Sequence, residues 1–310
     1  MRSDFKKYRQ WKFYCLTLVA FYSFTIFSQQ KPDLPAPPGT LWLYDSISID
    51  KTEIANIHWL EYLYYLNQDS SKLTYKKALP DTSVWLNVGD STGWKFYLRH
   101  PQLRYYPVVG ITHSQAINYC AWRSAVVNKQ IQRQSMQGNK DSRLKNYHFR
   151  YRLPTVYEWE WAAIGKLDVQ KYPFGYVNIN GKSSLTGKAE DYFDKLQTSV
   201  EFEIFKKEFE EFSHSKQEII FNVTKSFKNY FLYGAKATIK TFDKKIPPNS
   251  LGLHQMIGNV AEMTIEEGIA KGGSWFHYLE ESAIKNQITY SSPEAWLGFR
   301  CVCEIRRVSK

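Results

Sequence analysis

Four short segments in a fixed order constrain the fold of this chain more than any other feature. Any one of them would be a weak signal, but four in order along the second half of the chain are specific. The last three lie in a Gly-rich, turn-rich stretch, which predicts short strands joined by tight turns. The segments are Tyr151–Thr155 with Glu158–Glu160, then Gly258–Glu262, Gly272–Trp275 and Gly298–Cys301.

Composition indicates a folded protein with a substantial core. The 310 residues are 43% hydrophobic and 16% aromatic, which excludes a disordered chain. The net charge is +11, to which the first twelve residues contribute five cations and one anion. This balance permits an acidic partner or an anionic surface. The sequence has no run of Arg and Lys with interleaved aromatic residues, so we expect no nucleic-acid partner.

The N-terminus has the layout of a signal peptide over residues 1–28. A basic stretch precedes 15 largely apolar residues, Phe13–Phe27, and Ser28 then supplies a small residue. A membrane-spanning helix needs about 20 apolar residues, so cleavage is the prediction and an uncleaved anchor is the alternative. Cys15 precedes most of the apolar stretch, so we do not expect it to carry a lipid. Residues 29–40 are rich in proline and predict an extended linker.

Export would leave three cysteines, Cys120, Cys301 and Cys303. An odd number in an oxidising compartment predicts one disulfide and one remaining thiol. Spacing alone does not pair these residues. The three cysteines also lack the two closely spaced pairs of ligands that a structural zinc site has.

Capping signals predict where three helices begin. Asn56 is a plausible N-cap before a run of apolar residues at helical spacing. Thr112 with Gln115, and Thr155 with Glu158, both have the spacing of a capping box. Capping gives Glu158 a structural role whatever the protein does.

We predict a single domain over residues 41–308, with a charged insertion at about 187–245. Its first element is Leu41–Ile49, an apolar stretch that favours a strand. Within the insertion, residues 201–218 alternate charges with phenylalanines at a period of three to four, which favours an amphipathic helix. Packing of that stripe on the parent domain is the simpler interpretation, and binding of a partner is the alternative.

The four segments resemble the sulfatase-modifying-factor domain, the fold of the formylglycine-generating enzyme. The front half is also similar, in Asp50–Asn56, Tyr106–Thr112 and Tyr119–Arg123. The resemblance implies a C-type-lectin-like α+β fold, rich in loops and poor in regular secondary structure. Within the family, Leu79–Trp85, Tyr106–Gly110 and Cys120–Arg123 look closest to the gliding-motility lipoproteins of Gram-negative bacteria, which also serve a protein-secretion machine. That likeness implies the periplasm, the outer membrane or the cell surface.

The chain departs from the enzyme at its paired cysteines. Aligned from Gly272–Ser274, the two thiol positions hold His277 and Ser282. An imidazole and a hydroxyl cannot replace a dithiolate that binds Cu(I), so we expect no copper. His277 could still bind a metal together with His254, but a loop histidine with one hydrogen bond is the simpler interpretation.

The resemblance also implies a disulfide and a calcium site. The family's cysteines in Tyr-Cys-x-Trp and Gly-Phe-Arg-Cys correspond to Cys120 and Cys301, and Cys303 would be left as a buried thiol. The family's structural calcium segment corresponds to Gly258–Glu262, in which Asn259 and Glu262 would be ligands, and calcium prefers such oxygen ligands. The alternative is a turn in which Asn259 satisfies backbone groups and Glu262 forms a salt bridge.

Two functions are compatible with these features. The first is a non-catalytic binding or scaffold protein of the cell envelope, whose partners are other envelope proteins, linked to gliding motility or protein secretion. The second is a metal-dependent oxidoreductase of the same superfamily with altered chemistry. The sequence supplies no convincing set of nucleophile, base and orienting group for the second, so no catalytic residue is assigned and the first is preferred.

Overall fold

The computed structural model describes residues 37–69, 71–88, 96–136, 144–177, 180–181, 218–223, 238–243 and 246–308. The predicted signal peptide, most of the linker and residues 201–217 lie outside these ranges. The described part is an α+β fold with long irregular connections, as predicted. Its helices are α1 (Asn56–Asp69), α2 (Lys72–Lys77), α3 (His113–Met136) and α4 (Val156–Ile164). Within the described ranges, no helix is long and apolar enough to cross a membrane.

The main sheet is antiparallel and has the strand order β1–β2–β10–β3. Its strands are β1 (Thr40–Tyr44), β2 (Ile47–Asp50), β3 (Tyr147–Arg152) and β10 (Val302–Arg307). The prediction of one strand over Leu41–Ile49 was wrong, because the stretch folds into the β1–β2 hairpin. Asp45 makes the turn with a φ of 40°, a conformation that Asp tolerates better than most residues.

A second sheet brings three of the four sequence motifs together. Its strands are β6 (Ala261–Met263), β7 (Ile269–Lys271), β8 (Ile288–Thr289) and β9 (Leu297–Gly298), in the order β8–β7–β6–β9, with β6 and β9 parallel. The Gly258–Glu262 segment runs into β6, Gly272 follows β7, and Gly298 ends β9. A separate short pair consists of β4 (Asn180–Gly181) and β5 (Glu218–Ile219).

Both predicted capping boxes are present. The Gln115 N–H donates to Thr112 Oγ1 at 3.1 Å, and the Thr112 N–H donates to Gln115 Oε1 at 2.7 Å. Thr155 and Glu158 make the same reciprocal pair at the start of α4.

The third predicted cap, Asn56, does not act as one. Its buried side-chain amide instead donates to the carbonyl of Leu103 at 2.9 Å, and so anchors a distant loop. The Asn56 Oδ1, which would accept in a cap, has no partner. Tertiary contacts therefore override the local capping preference of Asn at this helix start.

The main sheet separates two hydrophobic clusters. Cys303 and Ile305 face the cluster under α1 and α3, while Val302 faces the cluster under α4. Aromatic rings form the centre of the first cluster, where Trp59 stacks on Tyr119 with centroids 5.4 Å apart. Core packing thus accounts for the aromatic residues of this cluster.

The range predicted as an insertion contains residues of the core. Phe221 and Val223 are buried in the cluster under α4, and Asn222 forms a β-bridge with Gly258. The Ile239 N–H donates to Asn259 Oδ1 at 2.8 Å. Residues 218–223 and 238–243 therefore support the fold, whatever the remaining part of 187–245 does.

Candidate functional site

Three of the sequence motifs meet in one buried ion pair. Arg300 donates to both carboxylate oxygens of Glu262 at 2.6 Å, and neither side chain is exposed to solvent. The Trp159 indole N–H donates to Glu262 Oε2 at 2.7 Å. Gly272 lets the chain pass this indole, since a Cβ at Gly272 would lie 2.8 Å from the Trp159 ring. Residues from all four motifs therefore contact one another in the interior of the domain, where they stabilise the fold.

The predicted calcium residues are already engaged by other side chains and by backbone groups. Asn259, with a φ of 62°, donates to Glu53 Oε1 at 2.8 Å and accepts the Ile239 N–H. Glu262 faces the Arg300 guanidinium, whose charge opposes a second cation at the same oxygens. These contacts are those of the alternative interpretation, a turn with a salt bridge. Calcium binding at Asn259 and Glu262 stays a prediction.

Across the described ranges, no group of three or more His, Cys, Asp and Glu side chains could hold a metal ion. His254 packs its ring on Phe242, with centroids 4.6 Å apart, and its carbonyl accepts from Arg300 at 2.8 Å. His277 packs on Trp296, with centroids 4.7 Å apart.

Glu53 is a buried carboxyl group that sequence reasoning missed. It has no exposed surface, and its Oε2 lacks a hydrogen-bond partner. Burial raises its pKa from 4.5 to about 8; nearby Arg300 opposes this shift and Glu262 adds to it. The cluster of two carboxyl groups and one guanidinium is therefore neutral when Glu53 is protonated. Glu53 lies in the Asp50–Asn56 segment that carries part of the resemblance, but nothing in that segment indicates that the carboxyl group is buried.

His277 and Ser282, which the sequence resemblance aligns with the paired thiols, lie in one short segment after β7. Ser274 Oγ and His277 Nδ1 are 2.7 Å apart, and Ser274 Oγ also accepts the Phe276 N–H at 3.1 Å. Ser282 Oγ donates to the Tyr278 carbonyl at 2.9 Å. Gly273 is required beside it, because a Cβ there would lie 1.8 Å from Ser282 Oγ. Both side chains thus hold the loop in shape.

The chemistry of this loop is that of a hydroxyl and a neutral imidazole. Burial lowers the pKa of His277, and the carboxylate of Glu281 offsets only part of the effect. Ser274 is fully buried, so the Ser274–His277 pair presents no accessible nucleophile. Glu281 accepts the Tyr278 N–H at 2.7 Å. The loop therefore lacks the accessible nucleophile of a catalytic triad.

Comparison with known families gives a match that spans most of the chain. The model of the sulfatase-modifying factor enzyme 1-like domain, FGE-sulfatase, matches residues 21–305. The chain belongs to this family. A comparison with curated proteins finds no match.

Several solved structures are similar to this family member at low identity. PvdO from Pseudomonas aeruginosa is 16% identical, with 83% of this chain and 80% of PvdO covered and a TM-score of 0.43. CarF is 18% identical, with 85% and 87% covered and a TM-score of 0.42. Treponema denticola variable protein 1 is 18% identical, with 87% and 92% covered and a TM-score of 0.38.

The three described cysteines of this FGE-sulfatase member, Cys120, Cys301 and Cys303, are buried and lie outside the loop after β7. Cys120 on α3 and Cys301 before β10 have their Sγ atoms 3.5 Å apart, as two buried thiols in contact. A disulfide would require about 2.05 Å. The structure thus brings the predicted partners together, and the covalent bond stays a prediction. Burial raises the pKa of Cys303 to about 12, which suits an unreactive thiol.

This family member also has a cavity of about 660 Å³ between α3, the start of α1 and residues 37–39. Arg123 forms a bidentate pair with Asp50 beside it, at 2.7 and 2.8 Å, and lies 4.1 Å over the Tyr151 ring. Its wall along α3 includes Trp122 and Ile131. No motif predicted this cavity, because its lining comes from segments that are distant in the sequence.

Proposed function

We propose that this FGE-sulfatase member is a non-catalytic binding or scaffold protein of the cell envelope, with other envelope proteins as partners. The observation that carries the proposal is the loop after β7. The two thiol positions hold His277 and Ser282, and both side chains are used to hold the loop in shape. Such a loop can present a surface, but it cannot supply the soft ligands that Cu(I) chemistry needs.

The cellular setting in this proposal comes from the sequence. The signal-peptide layout of residues 1–28 supports export. The similarity of Leu79–Trp85 to the gliding-motility lipoproteins supports a link to gliding motility or protein secretion. Within this setting the domain would act by contact with neighbouring proteins of the envelope.

Metal analysis separates this proposal from an oxidoreductase with altered chemistry. We expect the purified mature chain to contain no stoichiometric copper or iron and to consume no oxygen with thiol substrates. Stoichiometric copper or iron together with oxygen consumption would overturn the scaffold proposal.

Crosslinking in intact envelopes tests the proposal directly. We expect the full chain to capture a reproducible set of envelope proteins. A variant without residues 187–217 tests whether the charged insertion mediates these contacts. This deletion spares Phe221 and Val223, which are buried in the core, and Ile239, whose N–H donates to Asn259. Capture of no envelope protein by the full chain would contradict the proposal.

A further inference from the structure

Three aromatic rings, two exposed and one half-buried, form a continuous group beside the main sheet. Tyr157 and Trp161 lie one turn apart on α4 and are 63% and 42% exposed. The Trp161 ring centroid is 6.0 Å from that of Tyr157 and 6.3 Å from that of Tyr44 on β1. Large rings exposed together mark surfaces that bind other molecules more often than rings scattered singly.

The rings continue into a row of arginines through a chain of hydrogen bonds. Tyr44 Oη donates to Glu158 Oε1 at 3.1 Å. Arg152 donates to both oxygens of Glu158, at 2.6 and 2.7 Å, and to Glu304 at 3.0 Å. The aromatic group and the arginine row are therefore parts of one surface.

Positive charge dominates the strand face next to the rings. Arg306 and Arg150 approach the second oxygen of Glu304 at 2.8 and 3.6 Å, and their side chains are 65% and 55% exposed. With Arg152, three guanidinium groups share the carboxylates of Glu158 and Glu304. Each guanidinium has five N–H donors, so the two exposed ones keep donors for a partner.

We propose that this aromatic–arginine surface is the docking site for an acidic polypeptide segment of a partner protein. The surface consists of Tyr44, Tyr157, Trp161, Arg150, Arg152 and Arg306. Tyr, Trp and Arg are the residue types that dominate binding hot spots between proteins. Exposed guanidinium groups bind carboxylates bidentately, and the excess of positive charge favours an acidic segment over a basic one. The inference rests on the proposed scaffold function and names the kind of partner.

Paired variants of the full chain test this surface. The ring variant carries Tyr157→Ala and Trp161→Ala, and the charge variant carries Arg150→Glu and Arg306→Glu. All four residues are exposed, and Arg152 is kept because it pairs with buried Glu158. The matched controls are Tyr64→Ala, which removes an equally exposed tyrosine on α1, and Lys129→Glu with Arg133→Glu, which makes the same charge change on α3. Circular dichroism and thermal midpoints check that each variant folds.

The probe is immobilised poly(Glu,Tyr) copolymer, with binding measured by biolayer interferometry at several salt concentrations. We expect the dissociation constant to rise about tenfold in the ring variant and at least tenfold in the charge variant, which corresponds to about 1.4 kcal/mol or more. The dissociation constants of both controls should stay within about twofold of that of the unmodified chain. Binding should weaken as the salt concentration rises. If the control variants lose as much affinity for the copolymer as the surface variants do, the effect does not come from this surface and the inference is overturned. Equally tight binding to dextran sulfate would overturn its polypeptide part.

Crosslinking of the same variants in envelopes separates this inference from the proposed function. If the unmodified chain captures partners and both surface variants lose them, the inference is supported. If the variants capture the same partners, the scaffold function stands and the inference fails. If the unmodified chain captures nothing, the scaffold function itself fails.

Discussion

Glu158 illustrates how one side chain serves several structural roles. It caps α4 through the Thr155 N–H and forms a bidentate pair with Arg152, while it is almost fully buried. Burial alone would raise its pKa, but the hydrogen bonds from Arg152 and Thr155 outweigh burial and lower it. The capping role could be predicted from the Thr-x-x-Glu spacing. The ion pair could not, because the spacing does not show that β3 presents Arg152 to the start of α4.

The two roles of Glu158 can be separated by substitution. We expect Glu158→Ala to lower the free energy of unfolding by about 3–5 kcal/mol, since it leaves Arg152 partly buried without its main partner. Thr155→Ala removes only the other half of the capping box, the Thr155 hydroxyl that accepts the Glu158 N–H, and should cost about 1 kcal/mol. Urea unfolding measures both values. Equal costs would mean that the ion pair contributes nothing beyond the cap.

Glu53 should make the stability of the fold depend on pH. Its pKa is raised in the folded protein, mainly by burial, from 4.5 to about 8, so the native state binds more protons than the unfolded state between these values. The contribution of Glu53 to stability is therefore complete below about pH 4.5 and is lost as pH rises towards 8.

Glu53→Gln is the matched variant, since glutamine is neutral at every pH and keeps the shape of the side chain. We expect its unfolding free energy to fall less between pH 5 and 8 than that of the unmodified chain. Urea unfolding at several pH values across this range provides the measurement. Parallel pH curves for the two proteins would show that Glu53 does not titrate in this way.

At the scale of elements, the outer edge of β3 is covered by side chains of α3. The Asn128 amide donates to the Phe149 carbonyl at 2.8 Å and accepts the Phe149 N–H at 3.0 Å. Ser124 Oγ accepts the Tyr151 N–H at 2.8 Å. The helix thus replaces a neighbouring strand and removes an edge that could pair with another chain.

Removal of this cover should destabilise the sheet edge. We expect Asn128→Ala to cost about 1–3 kcal/mol, because the Phe149 N–H and C=O lose their partner in a partly buried place. Hydrogen exchange at the Phe149 amide should accelerate in the same variant. Lys129→Ala, next to it on the exposed side of α3, is the control. Equal protection of the Phe149 amide in both variants would contradict this account.

Local sequence signals predicted where helices begin, but they did not predict the contacts between distant elements. The capping boxes of α3 and α4 follow from side chains three residues apart, and both are present. The strand over Leu41–Ile49 was misjudged, because an apolar run cannot distinguish one strand from a hairpin when a single Asp makes the turn. The cavity beside Arg123 and the Asn56 anchor depend on distant segments, and no local pattern encodes them.

For the whole molecule, the pairing of Cys120 with Cys301 would join α3 to the end of the main sheet. Oxidation should leave one thiol, Cys303, in the chain of residues 29–310, and denaturation with a thiol reagent counts it. In the chain-entropy picture, closing so long a loop is worth about 4–5 kcal/mol, so a reductant should lower the unfolding midpoint. A Cys120→Ala variant should show no response to the reductant. Three reactive thiols in the denatured oxidised chain would rule out the bond.

The position of β10 has a consequence for the order in which the molecule is assembled. The ribosome makes β1, β2 and β3 long before β10, yet β10 lies between β2 and β3 and pairs with both. The two halves of the main sheet therefore have no common partner until residues 302–307 have been synthesised. A polypeptide of this topology completes its main sheet only after residues 302–307 have left the ribosome, so the earlier strands must wait for a segment at least 150 residues further along the chain.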